Sequence, residues 1–307
     1  MSMIFEKEQL PLITVIIPAY KRRNYLFQAL DRILTQKDVT MEILVFSEVM
    51  GPDEVDEVIT VYPQVKYYKT NQYQGASNKR RAGIKMAQGK YLYLPDDDDY
   101  LFEDTFFKRA VDILEGDETL SLVAADSIII HEFKDEAKNY EERRKNDLEG
   151  KVDGINYLQG LQVTMNKPQS SVSILFRKQA FLERDVDKMY EISDIAMFMN
   201  ALLWGNAYVM KEPVAVYRFH DGNLTYSLPF SFIFNVIREK ERIYRDAKKS
   251  LPNPYSFWYN HFRITYLFYK QGKATFRGKL KLLFWGLCHL HCNKTLFVFI
   301  LKQIIKV

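Results

Sequence analysis

The sequence predicts an α/β fold with a mainly parallel central sheet, helices on both of its faces and a helical C-terminal extension. Short apolar runs alternate with segments of helical periodicity over residues 1–115, which is typical of parallel sheets covered on both sides. The chain is 47% hydrophobic, with only 13 Gly and 10 Pro among 307 residues, so it can bury a large core and is not a disordered protein. Its 2 cysteines exclude a disulfide scaffold and fit a reducing compartment.

The apolar pattern also predicts the order of the elements. Strands are expected at residues 12–17, 42–46, 65–68, 91–94, 121–130 and 170–176. Helices are expected at residues 25–34, 52–60, 77–88 and 192–204, and in the tail from about residue 230, with breaks near Pro252, Pro254 and Gly272 to Gly278. Asn24 is the expected N-cap of the first helix, and Gly89 the expected stop of the third. The charged residues 134–150 are predicted to form a loop or a mobile segment.

Four successive aspartates at residues 96–99, here called the aspartate cluster, directly follow the predicted strand at 91–94. Ligands of such sheets bind at the carboxyl ends of the strands. Two carboxylates about 4 Å apart repel by roughly 1 kcal/mol in water and by about 4 kcal/mol at an effective dielectric constant of 20. A cation that neutralises the cluster therefore stabilises it, and Mg²⁺ or Mn²⁺ bound to carboxylates and to a diphosphate is the leading hypothesis. A solvated acidic loop is the alternative.

The charge of the chain is divided unevenly between its two parts. Residues 247–307 contain 11 Lys or Arg and no acidic residue, whereas residues 1–246 contain 32 basic and 39 acidic residues. A tail of this kind indicates an anionic partner: a membrane surface, a nucleic acid or the acidic body of the protein itself. No recognised nucleic-acid motif is present, so we expect no nucleic-acid partner.

Residues 282–301 have the length of a membrane span, but polar residues such as His289 and Lys294 lie at the centre and disfavour one. An amphipathic helix at an anionic membrane surface fits better, and a helical unit packed on the body is the alternative. The cysteine and histidine residues at 288–292 do not favour a zinc site, because helical spacing turns His289 away from the others.

Four segments, in order, resemble family 2 glycosyltransferases of the GT-A fold, the Rossmann-like Asp-x-Asp type. They are ITVIIPAYKRRNYLFQALDRILTQ (13–36), SNKRRAGIKMAQGKYLYLPDDDDYLFEDTF (77–107), EISDIAMFMNALLWGNAYV (191–209) and VYRFHDGNLT (216–225). The resemblance covers residues 10–225. Together with the composition of the tail, it predicts a GT-A domain at residues 1–228 and a basic helical extension at residues 229–307, expected to associate with a membrane.

The resemblance implies roles for individual residues. Asp98 would bind the metal, with His220 near the metal or the diphosphate, and Asp194 would be the general base. Glu48 stands where the family has an aspartate that contacts uracil, and its longer side chain would still accept a hydrogen bond from the base. The remaining contacts to the nucleotide would come from Pro18, Ala19, Tyr20, Asn71, Arg80, Asp96 and Asp97.

The function that the resemblance implies is that of a metal-dependent inverting hexosyltransferase, with Mn²⁺ or Mg²⁺ as cofactor. It would move a sugar from a nucleotide sugar, a UDP-hexose first of all, to a hydroxyl of a lipid-linked glycan acceptor in the synthesis of bacterial surface polysaccharide such as O-antigen or capsule. The expected location is cytoplasmic, peripheral at the inner face of the cell membrane. The alternatives are a transferase with another nucleotide donor and a catalytically silent scaffold of a glycan-assembly complex.

Overall fold

The computed structural model describes residues 11–48, 51–52, 54–72, 74–133, 140–143, 147–168, 170–221, 223, 229–271, 274–291 and 293–305. The strands within these residues are β1 (Ile13–Ala19), β2 (Met41–Ser47), β3 (Val65–Lys69), β4 (Tyr91–Tyr93), β5 (Tyr100–Leu101), β6 (Leu120–Glu132), β7 (Tyr140–Arg143), β8 (Gly150–Val152), β9 (Ile174–Arg177) and β10 (Asn206–His220). They form one sheet in the order β3-β2-β1-β4-β9-β6-β10-β5, with β7 beside β6 and β8 beside β10.

The helices surround this sheet and continue into the C-terminal region. They are α1 (Arg23–Leu34), α2 (Val58–Val61), α3 (Gly75–Met86), α4 (Phe106–Gly116), α5 (Gly154–Gly160), α6 (Lys178–Glu183), α7 (Asp194–Trp204), α8 (Phe230–Ala247), α9 (Pro254–Gln271), α10 (Phe276–Cys288) and α11 (Lys294–Ile305). Short 3-10 turns lie at Glu54–Glu57, Ser171–Ser173 and Val186–Lys188.

The predicted fold class is confirmed. β1 pairs in parallel with β2 and β4, and β2 pairs in parallel with β3, so the carboxyl ends of these four strands meet at one edge. β9 runs antiparallel between β4 and β6, which makes the complete sheet mixed. Alternate side chains of β1 enter two different cores: Val15 belongs to the core with residues of α1 and α4, and Ile16 to the core with α3 and the C-terminal helices.

Three local predictions are wrong. Asn24 is not an N-cap: α1 begins at Arg23 with Arg22 in the N-cap position, and the Arg22 side chain binds the aspartate cluster instead of the helix. Gly89 does not end α3, which stops at Met86; a Cβ at Gly89 would lie 2.5 Å from the backbone nitrogen of Thr14, so close packing requires the glycine.

Within the charged segment 134–150, residues 140–143 form β7 at the side of β6, where charged side chains suit an edge strand. Residues 134–139 and 144–146 lie outside the described residues.

The C-terminal helices are packed on the body of the protein. Phe257, Trp258 and Phe262 of α9 are completely buried and belong to the same core as Phe176 of the sheet and Phe198 of α7. The breaks predicted between α8 and α9 and between α9 and α10 are confirmed. For the described helices of the tail, packing on the body is therefore the arrangement that the structure shows.

The apolar stretch at residues 282–301 is divided between α10 and α11, and His291 between them adopts a left-handed conformation with φ 46°. Among the helices that the structure describes, none has the length and hydrophobicity needed to cross a membrane. Cys292, part of the disfavoured zinc cluster, lies outside the described residues.

Candidate active site

The aspartate cluster follows β4 and meets the end of β1. The Tyr20 backbone N–H donates to Asp97 Oδ2 at 2.9 Å, and Arg22 Nη1 donates to Asp97 Oδ1 at 3.1 Å. The parallel pairing of β1 with β4 brings the two turns together, because both strands end at the same edge. The structure thus joins two of the predicted segments, and Tyr20 remains 42% exposed beside them.

Asp98 lies between Arg22 and His220. His220 Nε2 is 3.1 Å from Asp98 Oδ2, the oxygen that also accepts from Arg22. Burial opposes ionisation of Asp98, but the hydrogen bond from His220 and the charge of Arg22 outweigh it and hold the pKa of Asp98 below its usual range. The two residues predicted to bind or approach a metal are therefore direct neighbours.

The other three carboxylates of the cluster have raised pKa values, and this favours the binding of an added cation. Burial raises the pKa of Asp96 to about 6, against the charge of Arg80, and that of Asp97 to about 7, against the charge of Arg22. Burial and the charge of Asp98 raise the pKa of Asp99 well above its usual range. Positive charge from the protein is thus insufficient for this cluster.

The oxygens of three cluster members have the geometry of a metal site. One carboxylate oxygen from each of Asp96, Asp98 and Asp99 can be chosen so that all lie within 4.8 Å of one another. Such hard oxygen donors suit Mg²⁺ or Mn²⁺. Asp99 also has fixed partners, because its oxygens accept from the Arg218 backbone N–H at 2.9 Å and from Ser170 Oγ at 2.8 Å. The residues present therefore fit a divalent ion.

Arg80 connects the cluster to Asp194. Its buried guanidinium donates to Asp96 Oδ1 at 2.7 Å and lies 3.6 Å from Asp194 Oδ1. Burial opposes the charge of Arg80, but Asp96 and Asp194 outweigh it and raise the pKa of the guanidinium. Arg80 thus orients two carboxylates, and its contact to the nucleotide stays a prediction.

Asp194 is the first residue of α7, and Ser193, not Asp194, occupies the N-cap position. Ser171 Oγ donates to Asp194 Oδ1 at 3.2 Å. The carboxylate is 26% exposed, so a hydroxyl group from solvent can reach it. This combination of a held and yet accessible oxygen is what general-base catalysis requires.

Glu48 binds the start of α3. Its Oε2 accepts the backbone N–H groups of Gln74 at 2.6 Å and Gly75 at 2.8 Å, and its Oε1 is 3.1 Å from Lys79 Nζ. Carboxylates stabilise helix N-termini in this way. Burial lowers the pKa of Lys79 despite the charge of Glu48, and Lys79 also donates to the Ala19 carbonyl at 3.1 Å. The carboxylate predicted to contact uracil thus already has three donors.

The remaining predicted residues lie at the same edge. Pro18 and Ala19 are the last residues of β1, and Ala19 is completely buried. Asn71 is exposed and lies two residues after β3. Its contact to the nucleotide stays a prediction.

Sequence reasoning missed several residues of the site. Arg22 was not singled out, although it follows the predicted strand 12–17 within a basic run that the sequence shows. Arg218 donates to the Asp98 carbonyl at 2.7 Å and stacks on Tyr25 and Tyr100 with 4.6 Å to each ring centroid. Glu191 is buried, which raises its pKa to about 7. Glu191 and Arg218 lie within segments that resemble the family, but the partners of these side chains are far away along the chain and could not be predicted.

Known proteins resemble this chain in sequence and in fold. The family model described as glycosyl transferase family 2 matches residues 14–204. Glycosyltransferase GlyA of Streptococcus pneumoniae serotype 4 is 31% identical over 106 residues, which is 33% of this chain and 15% of GlyA. The match likewise spans 15% of the length of two uncharacterized rickettsial glycosyltransferases.

Two solved structures share the architecture. S. aureus TarS 1–349 has a TM-score of 0.63 at 14% identity, over 88% of this chain and 78% of that chain, and TarS was also solved with UDP-GlcNAc and with UDP. Mannosyltransferase PcManGT from Pyrobaculum calidifontis, solved with GDP-Man and Mn²⁺, has a TM-score of 0.51 at 12% identity, over 97% of this chain and 85% of that chain. At these identities the likeness shows a GT-A fold.

Proposed function

Because this chain belongs to glycosyl transferase family 2, we propose that it is an inverting hexosyltransferase that uses a UDP-sugar and a glycan hydroxyl. The observation that carries this proposal is the bridge from Asp96 through Arg80 to Asp194, with 2.7 Å and 3.6 Å between the charged atoms. This arrangement supports the proposal, because an inverting, metal-dependent transfer uses a base and a cation close together.

In the proposed transfer step, one bond to the anomeric carbon of the donor forms while another breaks. The acceptor hydroxyl oxygen bonds to the anomeric carbon of the donor while the bond from that carbon to the diphosphate oxygen breaks. Asp194 takes the proton of the hydroxyl, and the diphosphate leaves with the bonding electron pair. Attack from the side opposite the leaving group inverts the anomeric centre.

The negative charge that develops on the diphosphate needs a counter-charge. We assign Mn²⁺ or Mg²⁺ to the oxygens of Asp96, Asp98 and Asp99, with His220 beside Asp98. Held there, a divalent ion neutralises the leaving diphosphate. PcManGT, a protein of similar fold that was solved with Mn²⁺, supports this assignment.

The acceptor is assigned as a glycan because aromatic rings extend from the site along β10, β6 and β7. The ring centroids of Tyr217 and Phe219 are 6.1 Å apart, and those of Phe219 and His131 are 5.4 Å apart. The His131 ring stacks on the exposed Tyr140 ring with 3.8 Å between the centroids. Burial and the charges of Asp99 and Asp194 raise the pKa of Tyr217. Aromatic faces pack well against the C–H faces of sugar rings. The proposed acceptor class is a lipid-linked glycan in the synthesis of bacterial surface polysaccharide such as O-antigen or capsule.

The proposed place of action is the inner face of the cell membrane. Lys294, Phe297, Val298 and Leu301 are exposed and share one face of α11, and Phe284 of α10 is 69% exposed. Apolar side chains beside lysines are typical of surfaces that enter the boundary of an anionic bilayer. The proposed partner of this face is an anionic lipid surface.

Liposome co-sedimentation tests the membrane surface. We expect more of the protein to pellet with phosphatidylserine vesicles than with neutral ones, and Phe284→Ser together with Leu301→Ser to reduce this fraction. Val61→Ser, which changes an apolar residue that is equally accessible but remote in sequence, is the control. Equal pelleting with both vesicles, or with neither, contradicts the membrane proposal.

Calorimetry with UDP tests the donor and the metal. We expect UDP to bind in the presence of Mn²⁺ and to bind much more weakly with EDTA. A donor with another nucleotide is the second candidate, because the three donors to Glu48 occupy the carboxylate expected at uracil. Tighter binding of GDP than of UDP would establish that second candidate, and the absence of binding by any nucleotide would favour a silent scaffold.

A further inference from the structure

The segment at residues 189–193, here called the base segment, precedes Asp194 and has no regular secondary structure. Side chains of α3 bind its main chain from one side. Arg81 Nη2 donates to the Met189 carbonyl at 2.8 Å, Arg80 Nη1 donates to the Ile192 carbonyl at 2.9 Å, and Ser77 Oγ accepts the Ile192 N–H at 2.9 Å. Side chains thus replace the hydrogen bonds that a helix or a sheet would supply to these backbone groups.

From α8, the first helix of the C-terminal extension, Glu239 binds the same segment. Glu239 is completely buried, and its Oε2 accepts the Tyr190 N–H at 2.8 Å. Its Oε1 accepts from Asn200 Nδ2 at 2.8 Å, and Asn200 belongs to α7, the helix that begins with Asp194. One carboxylate therefore holds both the segment before the base and the helix after it.

Arg242 completes this group of side chains. Its Nη2 donates to Glu239 Oε1 and to Asn200 Oδ1, both at 2.6 Å. The buried carboxylate thus has a charged partner and donors on both oxygens, so its position is strongly determined.

We propose that Glu239 is a positioning residue for transfer: with Arg242 and Asn200 it holds the base segment against α3 and thereby determines where the Asp194 carboxylate lies. The inference rests on the proposed function of Asp194 as the base. It makes α8 of the C-terminal extension part of the transfer machinery, in addition to its packing role.

The physical basis is the sensitivity of proton transfer to distance. A displacement of about 1 Å at a catalytic group can cost about 10²-fold in rate. The guanidinium that binds the Ile192 carbonyl also binds Asp96 and lies near Asp194, so a shift of the base segment changes the arrangement of both carboxylates. Loss of Glu239 would also leave Arg242 and the Tyr190 N–H without their buried partner.

The test compares Glu239→Gln and Glu239→Ala with the control Lys240→Met. Lys240 is the neighbouring residue, is also buried, and donates to Thr265 of α9 and not to the base segment. Three quantities are measured in the full chain: hydrogen exchange of the Tyr190 and Ile192 amides, affinity for UDP with Mn²⁺, and the rate of UDP release from UDP-GlcNAc with a glycan acceptor.

For Glu239→Ala we expect faster exchange of both amides, unchanged affinity for UDP, and a kcat lower by about tenfold to a hundredfold. Glu239→Gln keeps one acceptor oxygen and should recover part of the rate. Lys240→Met should leave the exchange of the two amides and kcat at wild-type values. If Glu239→Ala does not fold, the glutamine variant decides.

Wild-type exchange at Tyr190 and Ile192 in a folded Glu239 variant overturns the inference, and so does a kcat equal to that of Lys240→Met. The proposed function fails in a different way: the wild type itself would then neither bind UDP nor release it from the donor. The exchange of the two amides still tests in that case whether Glu239 holds the base segment, because the exchange measurement requires no substrate.

Discussion

The aspartate cluster and the carboxylate of Glu239 differ in how their charge is compensated. In the aspartate cluster, burial raises the pKa values of Asp96, Asp97 and Asp99 although Arg22 and Arg80 lie beside them. At the junction of α7 and α8, the single carboxylate of Glu239 has Arg242, an amide and a backbone N–H as donors. A cluster with excess negative charge is suited to bind a cation from outside, whereas a fully compensated carboxylate is suited to hold protein segments together.

The largest effect is expected from a truncation after Ala247, which removes α9–α11. It tests whether the protein needs these helices in order to fold. Loss of one buried Phe or Trp side chain costs about 3–5 kcal/mol, and a typical domain is stable by about 5–15 kcal/mol. Several such residues, including Trp258 and Phe262, would be lost, so the truncated chain should not fold. Cooperative thermal unfolding of the truncated chain, followed by circular dichroism, would contradict this. The exposed-site variant Phe284→Ser should retain the wild-type transition.

Asp194→Asn separates the base from the cation site. We expect transfer to fall by about 10²–10⁴-fold, the usual contribution of a general base, because asparagine cannot take the acceptor proton. Affinity for UDP with Mn²⁺ should be unchanged, since Asp194 is not among the carboxylates assigned to the metal. Steady-state rates and calorimetry measure the two quantities. Near-normal turnover of the variant would show that another group is the base.

Asp98→Asn should have a smaller effect, limited to the cation site. A ligand present at 100 times its Kd stabilises a protein by about 2.7 kcal/mol, and we expect most of the metal-dependent part of this stabilisation by UDP to be lost. Thermal shifts with UDP, with and without Mn²⁺, measure the loss. Asp187→Asn, which changes an exposed aspartate paired with Lys85, is the control and should keep the full shift. A full metal-dependent shift in Asp98→Asn would exclude Asp98 as a ligand.

The smallest effect concerns Lys240, a buried cation that donates to the Thr265 hydroxyl, whereas Glu239 has the charged partner Arg242. Burial lowers the pKa of Lys240 from 10.5 to about 7, and burial also holds the pKa of the adjacent His261 well below its usual value. Between pH 7 and 10.5 the unfolded chain binds the proton that the folded chain has lost, so stability rises with pH over this window.

Lys240→Met removes the titrating amine and with it the dependence of stability on pH that this amine causes. The variant should therefore be more stable than the wild type, by the largest margin at pH 7 and below, and the margin should shrink as the pH rises. Denaturant titrations at pH 7 and at about pH 9.5 measure the free energy of unfolding at both ends of the window. A margin that does not depend on pH would show that Lys240 keeps its ordinary pKa in the folded protein.

The strands and the edge of the sheet that carries the site could be predicted, because their signals are local. Apolar runs identified β1, β2 and β4, and the position of the aspartate cluster after β4 identified the carboxyl edge of the sheet. β7 was missed because an edge strand carries the charged residues that are also typical of loops. The role of Glu48 at the start of α3 could not be predicted, because the backbone N–H groups that it binds carry no sequence signature.

The sequence by itself determined the family, the α/β fold and the position of the aspartate cluster after β4, because periodicity and ordered motifs are properties of the chain alone. Only the tertiary structure decided that α8 and α9 pack on the body, since an apolar face has the same composition whether it covers a core or a membrane. The same holds for the partners of Arg80 and Glu239. Ion pairs and hydrogen bonds between residues 16 to 114 positions apart depend on where the folded backbone brings them, and composition does not encode that.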